Sequence, residues 1–198
     1  MTGYETSFKR YFMFGGIFCV LLVAVFANFM KEKIAFEKVE SEALNRFKKY
    51  KAYKEDVYFP QTQVAGPDGK LVNLLDGKHY TVLNIWATWC APCVAELPSL
   101  KRLQAILAYE QQWRVVAVSI DKNEDIEKID AFTKKLKVEQ VAAYIDVNKH
   151  LQRAVNIKGL PMTLILDKRG KILYEIYGDV VWYDASVVTL LRKIDWVN

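Results

Sequence analysis

The sequence predicts an α/β fold: one mixed central β-sheet flanked by helices, preceded by one N-terminal transmembrane helix. Three observations carry that prediction. From residue 81 onward, apolar runs of strand length alternate with segments of helical periodicity. A Cys-x-x-Cys pair, Cys90 and Cys93, stands between the first such run and the first such helix. Residues 11–30 hold no charge over twenty positions. Strand–helix–strand order followed by a hairpin and a terminal helix closes a layered sandwich around one sheet.

The 198 residues are 52% hydrophobic, enough for one globular domain plus extra apolar mass. That excess is local, in Tyr11–Met30. About 20 apolar residues cross a bilayer as a helix, so the stretch is long enough. It exceeds the ~7–15-residue apolar region of a cleaved signal peptide, which favours a retained signal anchor. The competing reading is cleavage after Ala27, where Val25-Phe26-Ala27 is acceptable to a signal peptidase. Phe18 ahead of Cys19 argues against a lipoprotein, and leaves Cys19 as a small apolar residue facing lipid or a neighbouring helix. Lys9 and Arg10 precede the span and Lys31, Lys33 and Lys38 follow it, so flanking charge does not fix its orientation.

Four regions are expected: a short tail over 1–10, the anchor over 11–30, a charged helical stem over 31–57, and a globular domain over 58–198. In the stem, Phe36, Val39, Ala43, Phe47 and Tyr50 recur at spacings near three and four, the pattern of an amphipathic helix. The net charge of +5 is concentrated around Arg46–Lys54, where lysines alternate with aromatics. Such a segment can bind nucleic acid or anionic headgroups, or be a solvated helix face. The last reading is the simplest, and no nucleic-acid partner is expected.

Within the domain, Gly66-Pro67-Asp68-Gly69 predicts a hairpin between Gln61–Ala65 and Lys70–Leu75. Thr81–Ala87 reads as a buried strand leading to the cysteines. Glu96, Leu97, Leu100, Leu103 and Leu107 then form a helical stripe, with Pro98 as a kink. Arg114–Ile120 reads as a strand and Asp125–Leu136 as a helix. Val141–Ile145, Thr163–Asp167 and Lys171–Tyr177 read as further strands, with Arg169-Gly170 turning between the last two. A closing helix covers Tyr183–Ile194.

The chemistry lies at Trp89-Cys90-Ala91-Pro92-Cys93. Two cysteines two residues apart close a small reversible disulfide. At a helix N-terminus the partial positive charge favours the thiolate. Cys90, at the helix start, is the expected attacking thiol; Cys93, one turn inside, is shielded. Pro92 stiffens the turn and contributes no N–H donor. A zinc site needs a second ligand pair, and His79 and His150 are not in paired spacing. Haem attachment needs His after Cys93, where Val94 stands. A purely structural disulfide is a poor use of this placement, so thiol–disulfide exchange is favoured.

NIWATWCAPCVAELPSLKRL resembles the active-site segment of thioredoxin-fold proteins, specifically the membrane-tethered TlpA/ResA/DsbE-like thiol–disulfide oxidoreductases. The resemblance covers most of residues 58–194, with the preceding hairpin and an insertion around 138–150. Gly159-Leu160-Pro161-Met162-Thr163 resembles the family's cis-proline loop. The resemblance implies a thioredoxin-like fold with an N-terminal hairpin and a central insertion, and a catalytic set of Cys90, Cys93, Glu96 and Pro161. It further implies that Trp89, Ala91, Pro92 and Leu160 meet the substrate polypeptide. Glu96 matches the acidic residue this family places beneath its cysteines. Asn84 stands where thioredoxins proper carry a buried Asp.

By the same resemblance the protein sits in a bacterial cytoplasmic membrane by a single pass, with its catalytic domain on the extracytoplasmic (periplasmic) side. It needs no cofactor beyond the Cys90–Cys93 disulfide. A membrane electron-donor thiol protein recharges it, and it reduces client protein disulfides, in cytochrome c maturation or in copper-site assembly. Met162 departs from the Glu or Thr often found there in cytochrome-maturation members. Two alternatives stand beside this one. One is a general thiol oxidant or isomerase; potentials in the superfamily run from about −270 to about −120 mV, and Ala91-Pro92 is closer to the reducing members. The other is a copper-binding chaperone module using both thiolates.

Overall fold

The computed structural model describes the backbone of residues 4–122 and 126–197, and the side chains of 21–122 and 126–194. It divides into two compact units between Ser41 and Glu42.

The first unit is helical. Helix α1 spans Tyr4–Leu44, its last residues falling in the second unit. Within it Leu21, Leu22, Val23, Val25, Phe26 and Phe29 are all exposed. Among the described residues no helix is long and apolar enough to cross a membrane. The side chains of the first half of the span expected over 11–30, Cys19 included, lie outside the described residues, as do those of the tail 1–10.

The helical stem expected over 31–57 is corrected in its second half. The helix stops at Leu44, and Lys49–Ala52 forms strand β1 instead. β1 pairs antiparallel with β8 (Ile172–Tyr177), Lys49 opposite Tyr177 and Ala52 opposite Tyr174. Backbone pairing outweighs the helical spacing of Phe47 and Tyr50: Tyr50 is exposed, and Phe47 is buried on Trp182. The second unit therefore starts well before residue 58.

The remaining strands are β2 (Gln63–Ala65), β3 (Leu71–Asn73), β4 (Tyr80–Trp86), β5 (Trp113–Ser119), β6 (Tyr144–Ile145) and β7 (Met162–Leu166). They form one eight-stranded sheet in the order β1-β8-β7-β4-β5-β6-β2-β3. β4 lies between β5, parallel, and β7, antiparallel, and all seven of its residues are buried. A strand covered on both faces reads as an unbroken apolar run, as Tyr80–Trp86 nearly does. On one face, Leu83, Ile85, Val116, Val118, Met162, Leu164 and Leu166 pack with Phe59, Val64, Leu74 and Leu151. Helix α2 (Ala91–Leu107) buries its stripe of Cys93, Glu96, Leu97, Leu100, Leu103 and Leu107, and runs on through Pro98.

The expected hairpin is present as β2–β3; Gly69 turns it at φ 76°, where only glycine is unstrained. The strand expected over Val141–Ile145 is not: Glu139–Ala142 is a short helix, α4, and only Tyr144–Ile145 remains extended. Val138, Val141, Ala142 and Ile145 are buried at helical spacing, which explains the exchange. Helix α3 (Ile126–Leu136) and the closing helix α6 (Ala185–Val197) lie where the sequence places them. Helix α5 (His150–Ala154) has no apolar periodicity to announce it; the Asp146 carboxylate accepts from the Leu151 and Gln152 amides at 3.0 Å each.

Candidate active site

β4 hands the chain to a turn at Ala87–Trp89 that a buried aspartate holds. Asp121, just beyond β5, accepts from the Thr88 amide at 2.9 Å, the Thr88 hydroxyl at 2.7 Å and the Ser119 hydroxyl at 2.6 Å. Because β4 and β5 are parallel neighbours, Thr88 and Asp121 leave the sheet at the same end. Trp89 projects from this turn and is 70% exposed.

Cys90 is the N-cap of α2 in extended conformation (φ −93°, ψ 94°), with Pro92 in the first turn. Its carbonyl accepts from the Val94 amide at 3.0 Å, while the turn's remaining N–H groups concentrate positive potential at the helix start. Cys90 and Cys93 are joined by a disulfide with Cα atoms 5.3 Å apart. Cys90 keeps a sliver of exposure at 6%, Cys93 none. Ala91 and Pro92 are exposed beside them.

The Leu160–Pro161 bond is cis. Met162 pairs with Ile85 and Thr163 with Asn84, so Pro161 falls at the sheet end where β4 releases the chain toward Cys90. Its carbonyl accepts from the Gly178 amide at 3.0 Å. Leu160, half-buried, precedes the first pair of the β7 ladder.

Glu96 follows Cys93 by three residues, on the same helical face. It is 2% exposed and accepts three hydrogen bonds. Asn84 Nδ2 donates to Oε1 at 2.7 Å; the Val180 amide and Trp182 Nε1 each donate to Oε2 at 3.1 Å. Burial pushes its pKa up to about 7; the three donors oppose that rise, and the charge of Asp179 adds to it. A carboxyl poised near neutrality is suited to taking and returning a proton. A groove of about 440 Å³ lined by Pro98, Ser99, Arg102, Asp179 and Tyr183 reaches Glu96 from the side.

The structure thus brings Cys90, Cys93 and Glu96 onto one end of α2, with Pro161 and Leu160 at the same end of the sheet. Sequence reasoning missed Asp121, Thr163, Val180 and Trp182. Thr163 is readable only through strand register, where it faces Asn84. Val180 and Trp182 lie in a loop with no local signature.

A thioredoxin-like family model matches residues 77–172, which contain both cysteines, Glu96 and Pro161. The thiol–disulfide oxidoreductase ResA of Bacillus thuringiensis subsp. konkukian is 31% identical over 121 residues, covering 61% of this chain and 68% of that protein. The thioredoxin-like protein YneN of Bacillus subtilis is 34% identical over 136 residues, covering 63% and 72%. Among solved structures, StoA of Bacillus subtilis aligns with TM-score 0.57 at 20% identity, over 68% of this chain and 99% of StoA. A DsbF homologue from Corynebacterium diphtheriae gives TM-score 0.57 at 24% identity, over 76% and 94%. These two bear on the fold alone. With a disulfide-linked Cys-x-x-Cys at a helix start on this scaffold, the chain belongs to the ResA-like thiol–disulfide oxidoreductases of the thioredoxin superfamily.

Proposed function

We propose that this oxidoreductase works as a membrane-tethered reductant, delivering electrons to the disulfides of a small set of client proteins outside the cytoplasmic membrane. The observation that carries this reading is the buried Glu96 carboxyl, one helical turn along α2 from a disulfide whose outer cysteine alone reaches the surface. In the reduced protein the Cys90 thiolate attacks a client disulfide. A Cys90–client mixed disulfide forms and one client thiolate leaves. Cys93 then gives its proton to Glu96 and attacks Cys90 Sγ, re-forming the Cys90–Cys93 bond and releasing the second client thiol. Two electrons pass to the client. The Cys93 proton resides on Glu96 until solvent collects it, and the groove beside Glu96 is a route for that exchange. A membrane thiol protein returns the electrons.

Trp89, Ala91 and Pro92 offer an exposed, largely apolar platform around Cys90, and half-buried Leu160, next to Pro161 at the same sheet end, offers its backbone to a client segment. The tether rests on the uncharged twenty residues 11–30, whose described half exposes apolar side chains. The client class is the cysteine pair of apocytochrome c or of a copper-binding oxidase subunit, in its disulfide form. Replacing Cys93 by Ala strands the mixed disulfide, so its partner can be isolated from cells and identified. Recovery of one or a few extracytoplasmic dithiol proteins supports the proposal; a broad spread of partners, or a potential near the oxidising end of the superfamily, overturns it.

A further inference from the structure

Three consecutive residues between helix α1 and strand β1 each touch the loop that holds Glu96. Arg46 Nε lies 3.5 Å from Asp184 Oδ2. The Phe47 ring lies 6.1 Å from the Trp182 ring, centroid to centroid, with Phe47 8% and Trp182 0% exposed. Lys48 Nζ lies 2.5 Å from Asp179 Oδ1. The Lys48 stem also crosses Gly178 closely, since a Cβ at Gly178 would meet Lys48 Cδ at 3.1 Å. The contacted loop, 178–184, supplies both donors to Glu96 Oε2, the Val180 amide and the Trp182 indole. It is fixed from below by Ser99, whose hydroxyl accepts from the Trp182 amide at 2.6 Å. Nothing in the mechanism above uses residues 46–48.

We infer that Arg46, Phe47 and Lys48 form a strap across the 178–184 loop and act as positioning residues for Glu96, setting its affinity for the proton it exchanges with Cys93. This rests on the reading of Glu96 as the acid–base group. Two of the three contacts bear directly on that carboxyl. Phe47 seats the indole that donates to Oε2. Lys48 neutralises Asp179, the charge that otherwise raises Glu96's proton affinity. Among the described residues, polar and charged groups come toward Glu96 from three elements. Asn84 approaches from β4, backed by Thr163 of β7; Asp179, with Lys48 on it, approaches from the loop. On α2, Cys93 lies one turn before Glu96, and Arg102, stacked at 4.3 Å on the Tyr183 ring, lines the groove beside it. Asp184, paired with Arg46, caps α6 through Ser186 and stands further off.

The test is the titration of Glu96 in the full-length chain at low salt, followed by infrared absorption of its protonated carboxyl, with Glu96→Gln marking the band. Lys48→Met leaves Asp179 unpaired and should move the midpoint up by roughly half a pH unit. Phe47→Ala slackens the indole donor and should also move it up. Asp179→Asn removes the like charge and should move it down. The pH profile for resolving a Cys90 mixed disulfide should shift in the same directions, which a purely structural brace would not produce. Wild-type midpoints in both Lys48→Met and Phe47→Ala overturn the strap, and Lys48 is exposed enough to be changed without loss of fold. If the midpoints move as stated but Glu96→Gln leaves the resolution profile unaltered, the acid–base reading fails while the strap's hold on Glu96 stands.

Discussion

Asn84 Nδ2 donates to Glu96 Oε1 across 2.7 Å, at a point where neither residue is more than 2% exposed. The same amide nitrogen donates to Thr163 Oγ1 at 2.9 Å, so both of its protons are used, while Asn84 Oδ1 has no partner among the described residues. This orientation suits an ionised Glu96. A protonated Glu96 has an O–H to give, and a turned Asn84 has the acceptor for it.

That pairing predicts the effect of restoring the thioredoxin residue. Asn84→Asp places two carboxyls at hydrogen-bond distance, where both cannot ionise together. The pair should retain a proton well above neutrality, and the midpoint for mixed-disulfide resolution should rise by roughly one to two pH units. Stopped-flow resolution rates across pH check this, with Asn84→Ala as the control that loses the donor without adding charge.

Glu96 should also make stability fall with rising pH. Its folded pKa, about 7, lies above the ordinary 4.5, so the folded state holds a proton that the unfolded chain has lost. The stabilisation is intact below about 4.5 and disappears as pH climbs toward 7, a loss of about 3 kcal/mol. Glu96→Gln removes the titration and gives Asn84 Oδ1 an amide to accept from. Urea unfolding at pH 5 and pH 8 should show the wild type weakening across that interval and the variant staying level.

Asp121 predicts a different separation. Asp121→Ala strands the Thr88 and Ser119 donors and should cost about 2–3 kcal/mol. Because this turn fixes Trp89, the variant should lose more rate toward a folded protein disulfide than toward a small-molecule one. Thermal unfolding and paired reduction assays measure the two effects; an equal loss on both substrates would remove Trp89 from client contact.

Strand β1 is followed by a tyrosine that reports its docking. Tyr53 donates to Glu175 at 2.6 Å, and burial together with that carboxylate raises its pKa to about 12. Glu175→Gln removes the charge and should lower the Tyr53 midpoint by about one pH unit. Tyrosinate absorption, with Tyr53→Phe to assign the band, reads the change.

Much of this molecule is legible in its sequence, and the reasons are local. Strand β4 and helix α2 are visible because burial on both faces and on one stripe leaves unbroken and periodic apolar patterns. Cys90 and Cys93 are visible because their spacing closes one helical turn, and Glu96 because the resemblance singles it out on the buried stripe that follows. Thr163 becomes visible only once β7 is set in register against β4. Val180 and Trp182 reach Glu96 from more than eighty residues away, and no pattern in Asp179–Tyr183 points to a carboxyl. β1 was hidden for the opposite reason: Phe36, Val39, Ala43 and Phe47 form a helical spacing that the chain honours only as far as Leu44.

β1 has a consequence for solubility. The strand beneath it, Ile172–Tyr177, reads Ile-Leu-Tyr-Glu-Ile-Tyr, and four of its residues are buried. Were the chain cut at residue 58, where composition alone suggests a boundary, that strand would become an open edge with unpaired amides and an apolar face. Such edges recruit foreign strands and aggregate. Lys49 and Lys51 put charge on the outermost strand in its place, which discourages further pairing. A fragment intended to stay dispersed in solution has to begin before Lys49, so that β1 is kept whole.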